Sequence, residues 1–129
     1  LTTQTHSRNA ETPEQGQTIE VAAGIHWLRF PLPFALDHIN LWLLDGPEGW
    51  TIVDSGFNQP DIISHWEIVF DTLLHQKPVE KICITHFHPD HFGLAGWLAA
   101  KTEAPVFITP GEWQMVQTLT DPDSADRLE

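Results

Sequence analysis

The chain has 129 residues, 41% of them apolar, with six Trp and seven Phe; a single domain of this size buries about two thirds of its unfolded surface, so wholesale disorder is excluded. Six basic against eighteen acidic side chains give a formal charge of −12, a surface that repels phosphate backbones and anionic lipid and argues against nucleic-acid and membrane partners. A single cysteine, Cys83, excludes an internal disulfide; it lies in the apolar run "KICIT", where a small buried thiol is expected.

Residues 1–17 are polar, without apolar periodicity, and are expected to form a loose arm. Their start, "LTTQTHSRNAETPEQGQ", lacks the apolar centre of a signal peptide, and nowhere does an apolar run reach the roughly eighteen residues of a membrane span. A cytoplasmic location is the expectation. Four short runs follow, "TIEVA", "IHWLRF", "INLWLL" and "WTIVD", rich in β-branched and aromatic residues and separated by Gly24, the Pro31/Pro33 pair and "DGPEG". They predict an antiparallel meander. From Pro60 to Gln76 the apolar residues Ile62, Ile63, Trp66, Val69, Phe70, Leu73 and Leu74 recur at three- and four-residue steps, the pattern of one helix with one apolar face. Asp61 in its first turn complements the helix dipole, and Pro78 follows its end. "KICIT" reads as a buried strand, "HFGLAGWLAAKT" as a helix, "PVFIT" as a strand and "PGEWQMVQTL" as a helix with Pro110 near its start. The order is ββββ and then αβαβα, an α/β (α+β) arrangement.

Between the buried strand and the next helix stands "HFHPDH", which places His86, His88, Asp90 and His91 within six positions. In an extended segment leaving a strand, His86 and His88 point to one side and can share a metal. Pro89 then bends the chain, so that Asp90 and His91 offer an oxygen and a nitrogen from a differently directed piece. Donors of N and O type favour zinc, with iron or manganese possible. The chemistry that uses such a pair of ions is hydrolysis of a polarised bond. Gly93 and Gly96 follow, where small residues let the backbone pass close to such a site. His6, His26, His38, His65 and His75 lie apart in sequence and read as surface or half-buried residues. Phe34 and Leu36, in the loop before His38, read as core caps that can alternatively touch substrate. Trp27, Trp42 and Trp66 read as core.

"THFHPDH", Thr85 to His91, matches the HxHxDH signature of the metallo-β-lactamase superfamily, and "TIVDSG", Thr51 to Gly56, resembles the strand-ending Asp motif that precedes it there. The resemblance extends from about Ile19 to the C-terminus. It implies the N-terminal half of an αββα sandwich, with a mixed or antiparallel sheet and flanking helices. It further implies that His86 and His88 bind one zinc and Asp90 and His91 a second, that Asp90 also acts catalytically by orienting the attacking hydroxide, and that Asp54 supports the ligands from behind.

The full family domain supplies further ligands downstream, a histidine to the first site, a bridging Asp, and a last histidine to the second; here no histidine follows His91. The expected organisation is therefore an arm at 1–17, a half-domain at 18–120 and a tail at 121–129, whose Leu128 and Glu129 read as a vector-derived end. The expected function is that of a zinc-dependent hydrolase of a small ester, thioester or lactone, with this stretch inactive alone. Two other readings stand beside it: a non-catalytic metal-binding or assembly module, and a di-iron redox member with a flavin partner domain. A half-domain exposes the sheet face its other half would cover, so self-association, most simply as a two-fold dimer, is expected.

Overall fold

The computed structural model describes residues 12–14, 16–32 and 38–120. Phe34, Leu36, the tail at 121–129 and most of the arm lie outside them; of the arm's described residues, Pro13 and Gly16 are buried.

A six-stranded sheet runs in chain order, β1 (Thr18–Ala22), β2 (Ile25–Pro31), β3 (His38–Asp45), β4 (Trp50–Val53), β5 (Val79–Cys83) and β6 (Val106–Phe107). The first four pair antiparallel, as short turns between neighbouring strands require. From β4 onwards the pairing is parallel, because each connection now contains helix and returns the chain to the same end of the sheet. The helices are α1 (Pro60–Thr72), followed by a 3₁₀ turn at Leu74–Gln76, then α2 (Pro89–Phe92), α3 (Ala95–Thr102) and α4 (Pro110–Thr120).

α1 begins with Pro60 in its first turn, a position where a missing N–H costs nothing, and buries Ile62, Trp66 and Val69 along one stripe. The predicted helix to Gln76 breaks at Leu73, whose φ of −133° is not helical, and closes in the 3₁₀ turn. The predicted single helix after the histidines is likewise two pieces, α2 and α3, separated at Gly93 and Leu94. One core cluster joins Leu28, Phe30, Leu41, Leu43, Ile52 and Ile82 of the strands to Ile62, Trp66 and Val69 of α1 and to Leu94 and Leu98 beside and within α3. α1, α3 and the core therefore occupy the same face of the sheet.

On the opposite face the registers align one residue per strand: Ile19 beside Trp27, Trp27 beside Trp42, Trp42 beside Val53, Val53 beside Cys83 and Cys83 beside Phe107. None of the six belongs to the buried core or to the apolar side chains packed against it. This corrects the expectation that Trp27 and Trp42 are core residues and Cys83 fully buried. The two indoles instead stack on one another on the sheet surface, 6.3 Å between centroids, with Trp27 Nε1 donating to Asn40 Oδ1. Trp66 is fully buried, as its place in the helical stripe requires. His26 is more buried than a surface histidine, wedged edge-on against Trp50 and 3.4 Å from Glu20. Among the described residues no helix is long and apolar enough to cross a membrane.

Candidate metal centre

The site grows from the C-terminal ends of the parallel strands β4 and β5, where crossover connections leave loops side by side. The ladder between them ends with Asp54 N–H donating to Cys83 O at 2.8 Å. There Asp54 takes a left-handed conformation, φ 68°, which a short polar side chain tolerates better than most residues. Its carboxylate, almost fully buried, faces the neighbouring strand end. It accepts hydrogen bonds from Thr85 N at 2.8 Å and from the Thr85 hydroxyl, whose oxygen lies 2.8 Å from Oδ2 and 3.1 Å from Oδ1. It also lies 2.8 Å from His91 Nδ1.

These contacts fix the imidazoles as well as the backbone. Because Asp54 accepts from His91 Nδ1–H, the opposite nitrogen, Nε2, is the one available as a ligand. His86 is held in a similar way: its Nδ1 lies 2.8 Å from the Thr85 hydroxyl oxygen, which donates its own proton to Asp54 and so is left to accept from His86. One buried carboxylate thus orients two ring systems, one directly and one through Thr85. The ring centroids of His86 and His91 are 4.0 Å apart and those of His86 and His88 are 4.8 Å apart. Asp90 Oδ2 stands 3.3 Å from His91 Nε2, close to the roughly 3.4 Å edge between two donors that share one tetrahedral ion at about 2.1 Å.

Burial lowers the His91 pKa, but the hydrogen bond to Asp54 and the charges of Asp54 and Asp90 outweigh it, so the imidazole titrates above its ordinary 6.5. The same two carboxylates that favour its protonation would favour a cation bound in the proton's place.

Convergence is incomplete. Among the described residues no three side chains of His, Cys, Asp and Glu gather into a group that would hold a metal ion. The donors suit zinc, iron or manganese by type and the Asp90–His91 pair suits it by spacing, but the full donor geometry is not assembled here. The cavities of about 420 and 620 Å³ are not lined by His86, His88, Asp90 or His91, although Phe92, next to His91, borders the larger one.

Two residues without an assigned sequence role hold the loop in place. Ser55 is completely buried; its N–H and its hydroxyl both donate to His91 O, at 2.8 and 2.7 Å. Its Oγ accepts from Leu94 N at 3.0 Å, while its carbonyl accepts from Trp66 Nε1 at 2.6 Å. Ser55 therefore pins α2 and α3 to the end of β4 and to α1. Nothing distinguishes it in the sequence beyond its place beside Asp54. The second is Glu112 of α4, whose Oε2 accepts from Phe87 N at 3.1 Å. It is separated from the loop by a strand and a helix, and no local pattern signals it.

The glycines divide. A side chain at Gly93 would meet Pro89 O at 2.4 Å, Gly56 O at 2.8 Å and Asn58 N at 3.0 Å, so the close backbone passage expected there is present. At Gly96 a side chain would meet nothing within 4 Å, because that residue faces the open 620 Å³ groove beside Phe107 and Trp113. The expectation of a close approach at Gly96 is therefore corrected. His38 opens β3, with its Nδ1 2.7 Å from Arg29 Nη2, and His65 stacks on Phe30; neither is near the histidine loop in these contacts.

Comparison with known proteins agrees with this architecture. Residues 35–128 match the family model described as the metallo-β-lactamase superfamily. Among solved structures, a β-lactamase domain protein from Burkholderia ambifaria is 46% identical, with a TM-score of 0.80 over 92% of this chain and 39% of that one. A metallo-β-lactamase family protein from Thermus thermophilus is 28% identical, TM-score 0.71, over 84% of this chain and 36% of that one. A metallo-β-lactamase from Cronobacter sakazakii shares the fold at 18% identity, TM-score 0.62, over 79% and 37%. The chain thus spans well under half the length of each of these three. A comparison with curated proteins gives no match. With the family model covering most of its length, the chain belongs to the metallo-β-lactamase superfamily, whose members are in general metal-dependent hydrolases.

Proposed function

We propose that this chain contributes the first ligand loop of a zinc-dependent hydrolase acting on a small ester, thioester or lactone. The observation that carries the reading is the buried Asp54 carboxylate, which holds His91 through Nδ1 and His86 through Thr85. A carboxylate used in this way orients ligand nitrogens and raises their basicity, and surface polar loops have no need of one. His86 and His88 would hold one ion and Asp90 and His91 a second. Bound there, zinc would acidify water and polarise the scissile carbonyl.

The chain's own contribution is positional. Asp54 sets the protonated nitrogen on His91, Thr85 sets it on His86, Ser55 fixes the carbonyl of His91, and Asp90, beside His91 Nε2, is placed to orient an attacking water. A chain of net charge −12 disfavours polyanionic substrates such as nucleic acids.

Hydrolysis of chromogenic esters, thioesters and lactones tests it. We expect no chelator-sensitive turnover from the 129-residue chain, and metal-dependent turnover when it is part of a chain of the length of the matched structures. Failure of such a longer protein, fully loaded with zinc, to hydrolyse any of the three classes would remove the hydrolase reading.

A further inference from the structure

Glu112 makes a contact that the ligand scheme does not use. It lies in the first turn of α4, twenty-five residues beyond Phe87, and its Oε2 accepts the Phe87 N–H at 3.1 Å in a part-buried setting. That N–H belongs to the peptide joining His86 to Phe87, inside the three-residue segment that carries the first two histidines. Fixing this peptide plane restrains ψ of His86 and φ of Phe87. These are two of the torsions that set the angle between the His86 and His88 side chains, whose rings meet edge to face at an interplanar angle of 77°. A second tie joins the same helix to the far end of the loop: the ring of Trp113, next to Glu112, lies 6.4 Å from that of Phe92, the last residue of α2. α4 thus braces the loop at both ends, once by a charged hydrogen bond before Pro89 and once by an aromatic contact after His91.

We infer that Glu112 is a positioning residue for the histidine loop: its carboxylate, delivered by α4, holds the Phe87 amide so that His86 and His88 present their rings to a common ion. The inference rests on the ligand role proposed above for those two histidines. Hydrogen bonds to a charged acceptor are stronger than neutral ones and keep their geometry when partly buried. A bond at this amide acts on the donors without touching the metal or the substrate. Gln at the same position keeps an acceptor oxygen and removes the charge, which separates the hydrogen bond from the field of the carboxylate.

The test compares wild type, Glu112→Ala and Glu112→Gln in the 129-residue chain by three readouts. Two are taken without metal, namely amide exchange at Phe87 and the cross-peak between the His86 and His88 rings; the third is calorimetric titration with zinc. In Glu112→Ala the Phe87 amide should exchange about tenfold faster or more, the ring cross-peak should weaken, and zinc affinity should fall about ten- to a hundredfold. Glu112→Gln, which keeps a weaker, neutral acceptor, should fall between wild type and Glu112→Ala in all three. Unchanged exchange in Glu112→Ala would overturn the inference. So would faster exchange with unchanged zinc affinity, or a Gln variant as weak as Ala with its Phe87 amide still protected. If the wild type bound no zinc, the ligand reading would fall separately, and the exchange and cross-peak results would still decide whether Glu112 positions the loop.

Discussion

Asp54 Oδ2 and His91 Nδ1 lie 2.8 Å apart across thirty-seven residues of sequence, with Asp54 almost fully buried. The pair joins the end of β4 to α2 and makes the orientation of the proposed ligand His91 depend on a residue that need not touch a metal. Asp54→Asn keeps the size and the tolerance of a left-handed backbone but loses the charge. Its carboxamide can also present the wrong hydrogen-bonding group to His91. Zinc affinity should fall about ten- to a hundredfold, with the decrease larger in Asp54→Ala, which also orphans the Thr85 amide. Calorimetric titration of the three proteins checks the order wild type, Asn, Ala.

The same pair makes stability pH-dependent in the metal-free chain. The His91 pKa is raised in the fold, burial being outweighed by Asp54 and Asp90. A raised folded pKa means that the stabilisation from protonated His91 is fully present below its unfolded value of about 6.5 and is lost as the pH rises through the higher folded value. With chelator present, the stability lost on His91→Gln should therefore be largest near pH 6 and shrink in mildly alkaline buffer. Urea unfolding across that range measures it; a difference that grows with pH would contradict the sign.

Ser55→Ala removes the hydroxyl that donates to His91 O and accepts from Leu94 N. His91 O keeps the Ser55 amide as a donor, so the main cost is the Leu94 N–H left buried without a partner. That penalty is about 1–3 kcal/mol, readable as a lowered urea midpoint with an unchanged slope.

How far the sequence carries depends on whether a feature is local. Helical spacing from Pro60, alternation in β2 and β3, and the turn residues between strands are local, and the elements lie where the pattern puts them except that the helix expected to reach Gln76 ends at Thr72. The "HFHPDH" cluster is also local, and its likeness to a known motif points to Asp54 as a partner. What the sequence does not carry is which face of the sheet the helices cover. Trp27 and Trp42 alternate as core residues do, yet sit on the face away from the helices, because period-two alternation does not say which side is which. Ser55 and Glu112 act through single hydrogen bonds to distant backbone, which leave no periodic trace at all.

That outer face bears on association. Its apolar row crosses all six strands, a width of about 24 Å at the usual strand spacing. The registers place the charged strand residues Arg29 and Lys81 on this face. We propose that a second copy covers it, because its row of apolar side chains is not packed against the core of its own chain. Sedimentation at micromolar concentration should show a dimer burying about 1,500 Å² in total, and Trp42→Lys should dissociate it. A monomer in the wild type would contradict the proposal.

Metal binding at the histidine loop is the claim on which the rest depends. Titration of the 129-residue chain with zinc, beside the double variant His86→Ala, His88→Ala, tests it most directly. The account predicts weak binding of one ion by the wild type, declining towards acid pH as protons compete with the metal for the ligand imidazoles, and loss of that binding in the double variant. Equal affinities in the two proteins would contradict it and remove His86 and His88 from the site.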